Sequence, residues 1–278
     1  MELPRVSILL TTRNRAEFLA RTVPAILTQT FKDFELIIID DGSTDKTQEV
    51  IRRLVEHDQR VVFVDNGKNL GISKSLNGAL ARARGEYGAI ADDDDPWIDP
   101  RRLEKQVAFL DAHPDYVAVG GGMVVVDKFG KEILRYLKPE TDVAIRRSMF
   151  FSNPMANPTT VFRMTAARSI GLYDESVIHG ADRDFWMRMG QEGKLYNIPE
   201  YFSQYTIAGQ NTLFREVPTV FRTSIRLVHR YRKVYPRYGA GMAFVCVQFV
   251  YSLVPASVRQ RLNISLFRLK RKMFDIVE

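Results

Sequence analysis

The chain has 278 residues, 45% of them hydrophobic and 26% charged, which suits one large α/β domain or a domain with an appendage. Its one cysteine, Cys246, excludes an intrachain disulfide and gives no sign of an oxidising compartment. The net charge of +7 is uneven: Gln210 to Glu278 carries 13 Lys+Arg against 3 Asp+Glu, so a basic tail follows a slightly acidic body. Such a tail suits acidic lipid, an acidic partner or nucleic acid.

Val6 to Leu10 is a β-rich apolar run, and a helical pattern follows over Ala16 to Thr28. "FELIIID" (Phe34 to Asp40) reads as a second buried strand. "DGSTDKTQEVIRRLVEH" opens with turn and capping residues: Ser43 or Thr44 is expected to cap a helix with Val50, Ile51, Leu54 and Val55 on its apolar face, and Ser43 and Asp45 suit a turn or cap role better than Asp40 and Asp41. Val61 to Val64 is a third strand, followed by a turn, a helix and a glycine stop at Gly85. Tyr87 to Ala91 is a fourth strand. These runs are apolar throughout and alternate with helices, which predicts a mostly parallel sheet covered on both faces.

A further helix is expected over Arg101 to Ala112. The order then changes. "YVAVGGGMVVVD" and "EILRYL" look like strands joined by turns, with short helices over Asp142 to Phe150 and Thr165 to Ile170. "DRDFWMRMGQEG" reads as a helix ending at Gly193, and "KLYNIP" and "YFSQYT" as two late strands. In the tail, "FVCVQFVYSLV" (Phe244 to Val254) is apolar nearly all round a helix yet too short and interrupted for a membrane span. It fits a buried helix with solvated basic flanks, Cys246 packing inside, or a helix lying in a membrane interface. The opening "MELPRVSILL" is read as lacking a signal peptide.

"YGAIADDDDPWIDP" places four aspartates directly after the fourth strand. In open α/β sheets ligands bind beyond the carboxyl ends of the strands. "TTRNR", "DDGSTD" and "DDDD" follow strands one, two and four, so parallel neighbours would bring all three to one rim. Carboxylates crowded there are either solvated or gathered round a hard divalent cation, and Mg²⁺ takes one or two carboxylates with phosphate oxygens and waters. In extended chain Asp92 and Asp94 project to one side and Asp93 to the other.

From Val6 to about Thr206 the chain resembles a family 2 glycosyltransferase of the GT-A fold. The resemblance is carried in order by "VSILLTTRNR", "TQTFKDFELIIIDDGSTD", "NLGISKSLNGALARARGEY", "ADDDDPW" and "GADRDFWMRMGQEGKLYNIPE". It implies a Rossmann-like nucleotide-binding half (1–100), an acceptor-binding half (101–209) and a basic, largely helical extension (210–278). It implies that Thr12 and Asp40 contact a nucleotide base with Asp41 close by, and that Asn69 and Gly71 shape the pocket. Arg13 bears on which base or sugar is accepted, and Trp97 flanks the acidic motif. Within "ADDDDPW" the resemblance places Asp92 at the ribose and diphosphate and Asp94, with Asp92, on Mn²⁺ or Mg²⁺, and counts Asp93 among the substrate-binding residues. Asp182 matches the catalytic base, Asp184 is its alternative, and Arg188 would hold the acids. Trp186 is expected in the core or the acceptor wall, and His179 in a loop. Thr11, Arg13, Leu76 and Ala181 depart from the family pattern, and Ala181, where glutamate is common, bears on the acceptor side.

The activity implied is inverting transfer of a sugar from a nucleoside diphosphate sugar, by default a UDP-sugar, to a hydroxyl of a saccharide or lipid-linked acceptor. Cell-surface polysaccharide or glycolipid synthesis is the expected setting. The expected location is cytoplasmic, with the tail on the inner face of the cell membrane. No nucleic-acid-binding module is recognisable, and the sequence sets no oligomeric state. Two alternatives stand beside this reading. One is a non-catalytic nucleotide- or membrane-binding relative. The other is a nucleotide-sugar pyrophosphorylase, which would want a glycine-rich phosphate loop where "TTRNRAEF" has no glycine.

Overall fold

A computed structural model describes residues 3–127, 129–207, 217–254, 269, 272–273 and 275–277. Strand β1 (Val6–Thr12) leads into helix α1 (Ala16–Leu27), then β2 (Phe34–Asp40), α2 (Thr47–His57), β3 (Val61–Asp65), α3 (Ile72–Arg82) and β4 (Tyr87–Asp92). The second half holds α4 (Arg102–Ala112), β5 (Tyr116–Asp127), β6 (Glu132–Leu137), α5 (Asp142–Ser148), a 3₁₀ turn (Asn157–Thr159), β7 (Val161–Arg163), α6 (Met164–Ser169), α7 (Ala181–Glu192) and β8 (Lys194–Ile207). Helices α8 (Val217–Arg230) and α9 (Tyr238–Ser252) and a short β9 (Ile276–Val277) complete the described elements.

The sheet runs β3-β2-β1-β4-β7-β5-β6-β9, with β8 on β5. The first four strands are parallel, and β7 joins β4 antiparallel. Val6, Ile8, Leu9 and Leu10 of β1 have no exposed surface, as a central strand covered on both faces requires. Each such side chain stabilises the fold by about 1.5–3 kcal/mol relative to leaving it in water. The chain leaves β1 towards β2 and β3, then returns to the other side of β1 as β4. That makes the β1/β4 boundary a topological switch point, where the crevice of an open α/β sheet opens. In register, Thr12 lies beside Asp40 and Thr11 beside Asp92, so the polar clusters after β1, β2 and β4 share one rim.

Three local expectations are corrected. Helix α2 begins at Thr47, and Asp45, not Ser43 or Thr44, accepts the Thr47 N–H at 2.9 Å. Gly85 is not a left-handed helix stop, because α3 already leaves helical geometry at Ala83. A Cβ on Gly85 would lie 2.6 Å from the Ser7 nitrogen, so the glycine is required by close approach to β1. "KLYNIP" and "YFSQYT" form one strand, β8, with Ile198, Pro199 and Glu200 bulging opposite Gly121. A bulge is where a strand tolerates proline, since no ladder N–H is lost there.

The expected boundary at 209/210 lies outside the described residues. Beyond it, Leu227, Val228, Tyr231 and Tyr235 from α8 and its following turn, with Val245 of α9, are buried in the core cluster that holds Phe185 and Trp186 of α7. Only one stripe of α9 is covered: Gly241, Val245 and Ser252 are buried, whereas Val247, Val250 and Leu253 are more than 60% exposed. Cys246 is exposed too, which corrects the expectation that it packs inside. Among the described residues no helix is long and apolar enough to cross a membrane.

Candidate active site

A cavity of about 400 Å³ opens at the switch point, and Asp92, Asp93, Asp94 and Asp182 all line it. The extended-chain argument for the four aspartates fails, because β4 ends at Asp92 and Asp93 and Asp94 form a turn. Asp93 is therefore not turned away from its neighbours. Its carboxylate accepts the Thr12 hydroxyl at 2.7 Å, and its carbonyl accepts the Thr22 hydroxyl at 2.8 Å. Thr12 thus serves the acidic turn. The Arg15 guanidinium, also on the cavity wall, donates to Asp94 at 3.4 Å.

Burial, aided by the charges of Asp94, Asp93 and Asp182, pushes the Asp92 carboxyl up to about 8. Burial and Asp94 push Asp93 up to about 6 against the Thr12 bond and Arg15. Asp95, deeper still, is raised well above the usual carboxylate range by burial and then by Asp92. Three neighbouring carboxyls are thus held short of positive charge.

The opposite wall comes from "SNPMANPTT" (Ser152 to Thr160), which the sequence reading passed over. Asn153 donates from its amide to Asp182 at 2.7 Å. Asn157 lines the cavity with Asp92 and opposes the upward shift of its carboxyl. Both asparagines precede prolines, which disfavours continuous α-helix, and the stretch runs as turns and bends into the short 3₁₀ turn at Asn157–Thr159. That repeated Asn-Pro pair at a spacing of four is the signal available in the sequence. Beneath it, Arg102 is fully buried and donates to the carbonyls of Pro158 at 2.5 Å and Thr160 at 3.4 Å, and to Gln106 at 3.0 Å. Gln106 in turn donates to the carbonyls of Thr159 and Val119 at 2.7 and 3.1 Å. A helix face on α4 therefore fixes the loop that presents both asparagines. The Arg102 guanidinium also lies 3.8 Å over the Trp97 ring. That places Trp97, 4% exposed, in the core below the site and corrects its assignment as a substrate contact.

Asp182 sits in the first turn of α7, which starts from Gly180 in left-handed backbone at φ 73°. Asp184 does not share its setting. It has no exposed surface and accepts from Arg188 at 2.8 Å, Tyr231 at 2.7 Å and Arg230 at 3.4 Å. With both oxygens taken, it is a structural anchor to the tail rather than a substrate contact or a second base. Arg188 also donates to the Ile170 and Leu172 carbonyls at 2.8 and 2.5 Å. Trp186 is wholly buried core, and His179 lies on a loop at the cavity wall.

The cluster after β2 is internally bonded. Asp40 is buried and accepts from the Ser43 backbone and hydroxyl and from Gln48 at 2.7 Å. Asp41 accepts from the Leu70 and Gly71 N–H groups at 2.8 and 3.0 Å and from Asn66 at 3.1 Å. Burial alone would raise the Asp41 carboxyl, but these donors together hold it below the usual range. Gly71 adopts φ 91°, open to glycine, and Asn69 accepts the Gly71 N–H at 3.1 Å. Asn69, Gly71 and Arg13 are exposed and stand outside the cavity lining. Arg15, two residues on, is the arginine that reaches the acids.

Among the described residues no group of three or more His, Cys, Asp or Glu could hold a metal by itself. The acidic turn nevertheless fits a cation that brings its own phosphate ligands. Asp92, Asp93 and Asp94 line one cavity with Arg15 as counter-charge, and two of the three are raised for want of more.

Sheet order, switch point and acidic rim define the GT-A class of glycosyltransferases. PcManGT, a mannosyltransferase from Pyrobaculum calidifontis solved with GDP-Man and Mn²⁺, superposes with a TM-score of 0.66 at 17% identity, covering 98% of this chain and 84% of that one. S. aureus TarS 1-349 with UDP-GlcNAc gives 0.65 at 17% identity over 89% of this chain and 72% of that one, and the match spans 43% of a longer TarS chain. The chain belongs to glycosyl transferase family 2, whose sequence model matches residues 7–172. EpsE of Bacillus subtilis (strain 168), carried under a glycosyltransferase name, is 37% identical over 201 residues, 71% of each chain. The amylovoran biosynthesis glycosyltransferase AmsE of Erwinia amylovora is 25% identical over 258 residues, 92% of this chain and 96% of AmsE.

Proposed function

We propose that this glycosyltransferase moves a sugar, with inversion, from a nucleoside diphosphate sugar to an acceptor hydroxyl at the cavity between Asp92 and Asp182. One observation carries the reading: the acidic turn after β4 and the lone half-exposed acid of α7 face one cavity at the sheet's switch point. The nucleotide would lie along the rim, on Thr12 and the walls that Asp40 and Asp41 shape with Asn69 and Gly71. Asp92 and Asp94 would hold a divalent cation, Mn²⁺ or Mg²⁺, which supplies Lewis-acid stabilisation to the departing diphosphate. Arg15 stands beside Asp94 and would bind the same phosphates.

Asp182 acts as the general base. Asn153 fixes its Oδ2 and leaves Oδ1 to receive the acceptor proton. As that proton leaves, the acceptor oxygen forms its bond to the anomeric carbon. The bond to the diphosphate breaks from the opposite face and its electron pair goes to the phosphate oxygen. A UDP-sugar donor is favoured by default, and UDP-GlcNAc in TarS and GDP-Man in PcManGT make uridine and guanosine donors the first to assay. The amylovoran setting of AmsE supports a role in polysaccharide or glycolipid synthesis.

The tail would place the enzyme on an anionic membrane surface. The tail exposes both an apolar stripe on the second half of α9, Val247, Val250 and Leu253, and the cations Arg232, Lys233 and Arg237 ahead of that helix. Equal, negligible sedimentation with anionic and neutral vesicles would remove this part of the reading.

The direct test is a thermal-shift panel of UDP, GDP, dTDP and CDP with and without Mn²⁺, on wild type and Asp94→Ala. One nucleotide is expected to raise the transition only with Mn²⁺, and Asp94→Ala to lose that increment. No shift with any nucleotide would sink the reading.

A further inference from the structure

Two residues of the cavity wall carry a buried polar atom that no protein group satisfies, the Tyr173 hydroxyl and the Asn157 Oδ1, and Asn153, bonded to Asp182 of that wall, carries a third in its Oδ1. Buried polar atoms are nearly always hydrogen-bonded, so three orphans around one cavity are a pattern that asks for a ligand. Their placement is specific. Asn153 donates its amide to Asp182 at 2.7 Å and leaves its acceptor end over, and Asn157 lines the cavity with Asp92. Tyr173 is 3% exposed and stacks on Phe185 at 4.3 Å between ring centroids and 8° between planes. Its hydroxyl feels the charges of both Asp182 and Asp92, which with burial keep it protonated. It is therefore a donor without an acceptor, on the cavity that both acids used in the transfer also line.

We propose that Tyr173, Asn153 and Asn157 form the subsite for the hydroxyls of the transferred sugar and set which sugar is accepted. The inference rests on the transferase reading above and deepens it. In a single displacement the base and the diphosphate flank opposite faces of the anomeric carbon, so the sugar ring occupies the space between Asp182 and Asp92. One donor and two acceptors suit a ring that carries adjacent hydroxyls, each able to donate and accept. A site built to hydrogen-bond a hydroxyl discriminates strongly against a sugar that lacks it or presents it with the other configuration, because the buried partner is then unpaired.

The experiment is calorimetric binding, with Mn²⁺, of UDP, GDP and dTDP against their hexose conjugates, to wild type, Tyr173→Phe and Asn157→Ala. Tyr173→Phe is expected to keep wild-type affinity for the bare nucleoside diphosphate, which also reports that it folds, and Asn157→Ala, whose residue acts on Asp92, is read as the ratio of its conjugate to its nucleotide affinity. Tyr173→Phe is expected to weaken the nucleotide-sugar about tenfold, the effect of one buried hydrogen bond lost. Asn157→Ala is expected to change the ranking of hexoses. Wild-type affinity of both variants for the conjugates, or equal loss on nucleotide and conjugate, overturns the subsite and leaves the transferase reading standing. Failure of wild type to bind any nucleotide brings down both.

Discussion

The acidic clusters that end β2 and β4 stand on the same rim of the same sheet, yet they are in opposite electrostatic states. Asp41 is surrounded by protein donors and held below the usual carboxylate range, whereas Asp92 is pushed up to about 8 by burial and by other acids. One cluster has spent its charge on its own loop and is finished as it stands. The other has carboxyls with too little positive charge nearby, the state expected of groups whose partner arrives with a ligand. "DDGSTD" and "DDDD" look alike as strings, and their hydrogen-bond partners tell them apart.

The largest expected effect tests the unfinished side. Asp182→Asn should lower the transfer rate by about 10² to 10⁴ while leaving nucleotide affinity unchanged, as loss of a general base does. A drop in nucleotide affinity matching the drop in rate would move Asp182 out of the chemistry. Next is the support beneath it. Arg102→Met strips the Pro158 and Thr160 carbonyls of a buried charged donor, and stability should fall by about 3 kcal/mol. Chemical denaturation measures this, and an unchanged midpoint would show that the loop carrying Asn153 and Asn157 holds itself.

Asp41→Asn probes the finished side. Replacing a charged acceptor of two backbone N–H groups should cost about 1.5–3 kcal/mol. The Asp41 carboxyl lies lower in the fold than unfolded, so its contribution is full above the unfolded value of 3.8 and is lost as pH falls through the folded value. An acid-unfolding midpoint shared by wild type and Asp41→Asn would contradict that.

The smallest effect has the opposite sign. Asp92, facing Asp93, Asp94, Asp182 and Asn157, titrates near 8 in the fold and 3.8 when unfolded, so the unfolded state binds fewer protons between these values. Stability without ligand should therefore fall as pH rises through that window. Asp92→Asn should remove the slope and raise the melting temperature at pH 8 by about 2–4 °C while abolishing transfer. A variant no more stable than wild type at pH 8 would show that Asp92 already has its counter-charge, and the contrast between the two clusters would close.

Much of this was legible in the sequence. Uninterrupted apolar runs marked β1, β2 and β3 as strands, and alternation with helices marked the sheet as mostly parallel, because strand period and helix period are local properties of the chain. The same alternation put Thr12, Asp40 and Asp92 on one rim. Asp182 was named through family resemblance and does line the cavity. Trp97, Asp184 and Arg13 were named on proximity in sequence to functional motifs. Their side chains went, respectively, to a core stack on Arg102, to an anchor for Tyr231 and into solvent.

The sequence by itself determined the order of elements, the rim and the identity of the acids, all of which follow from short-range pattern. Only the tertiary structure decided which acids are free to act. That choice depends on donors far off along the chain: Leu70 for Asp41, Asn153 for Asp182 and Tyr231 for Asp184. A carboxylate's state is set by burial and by the groups within a few ångströms of it, and no local pattern in the chain records either.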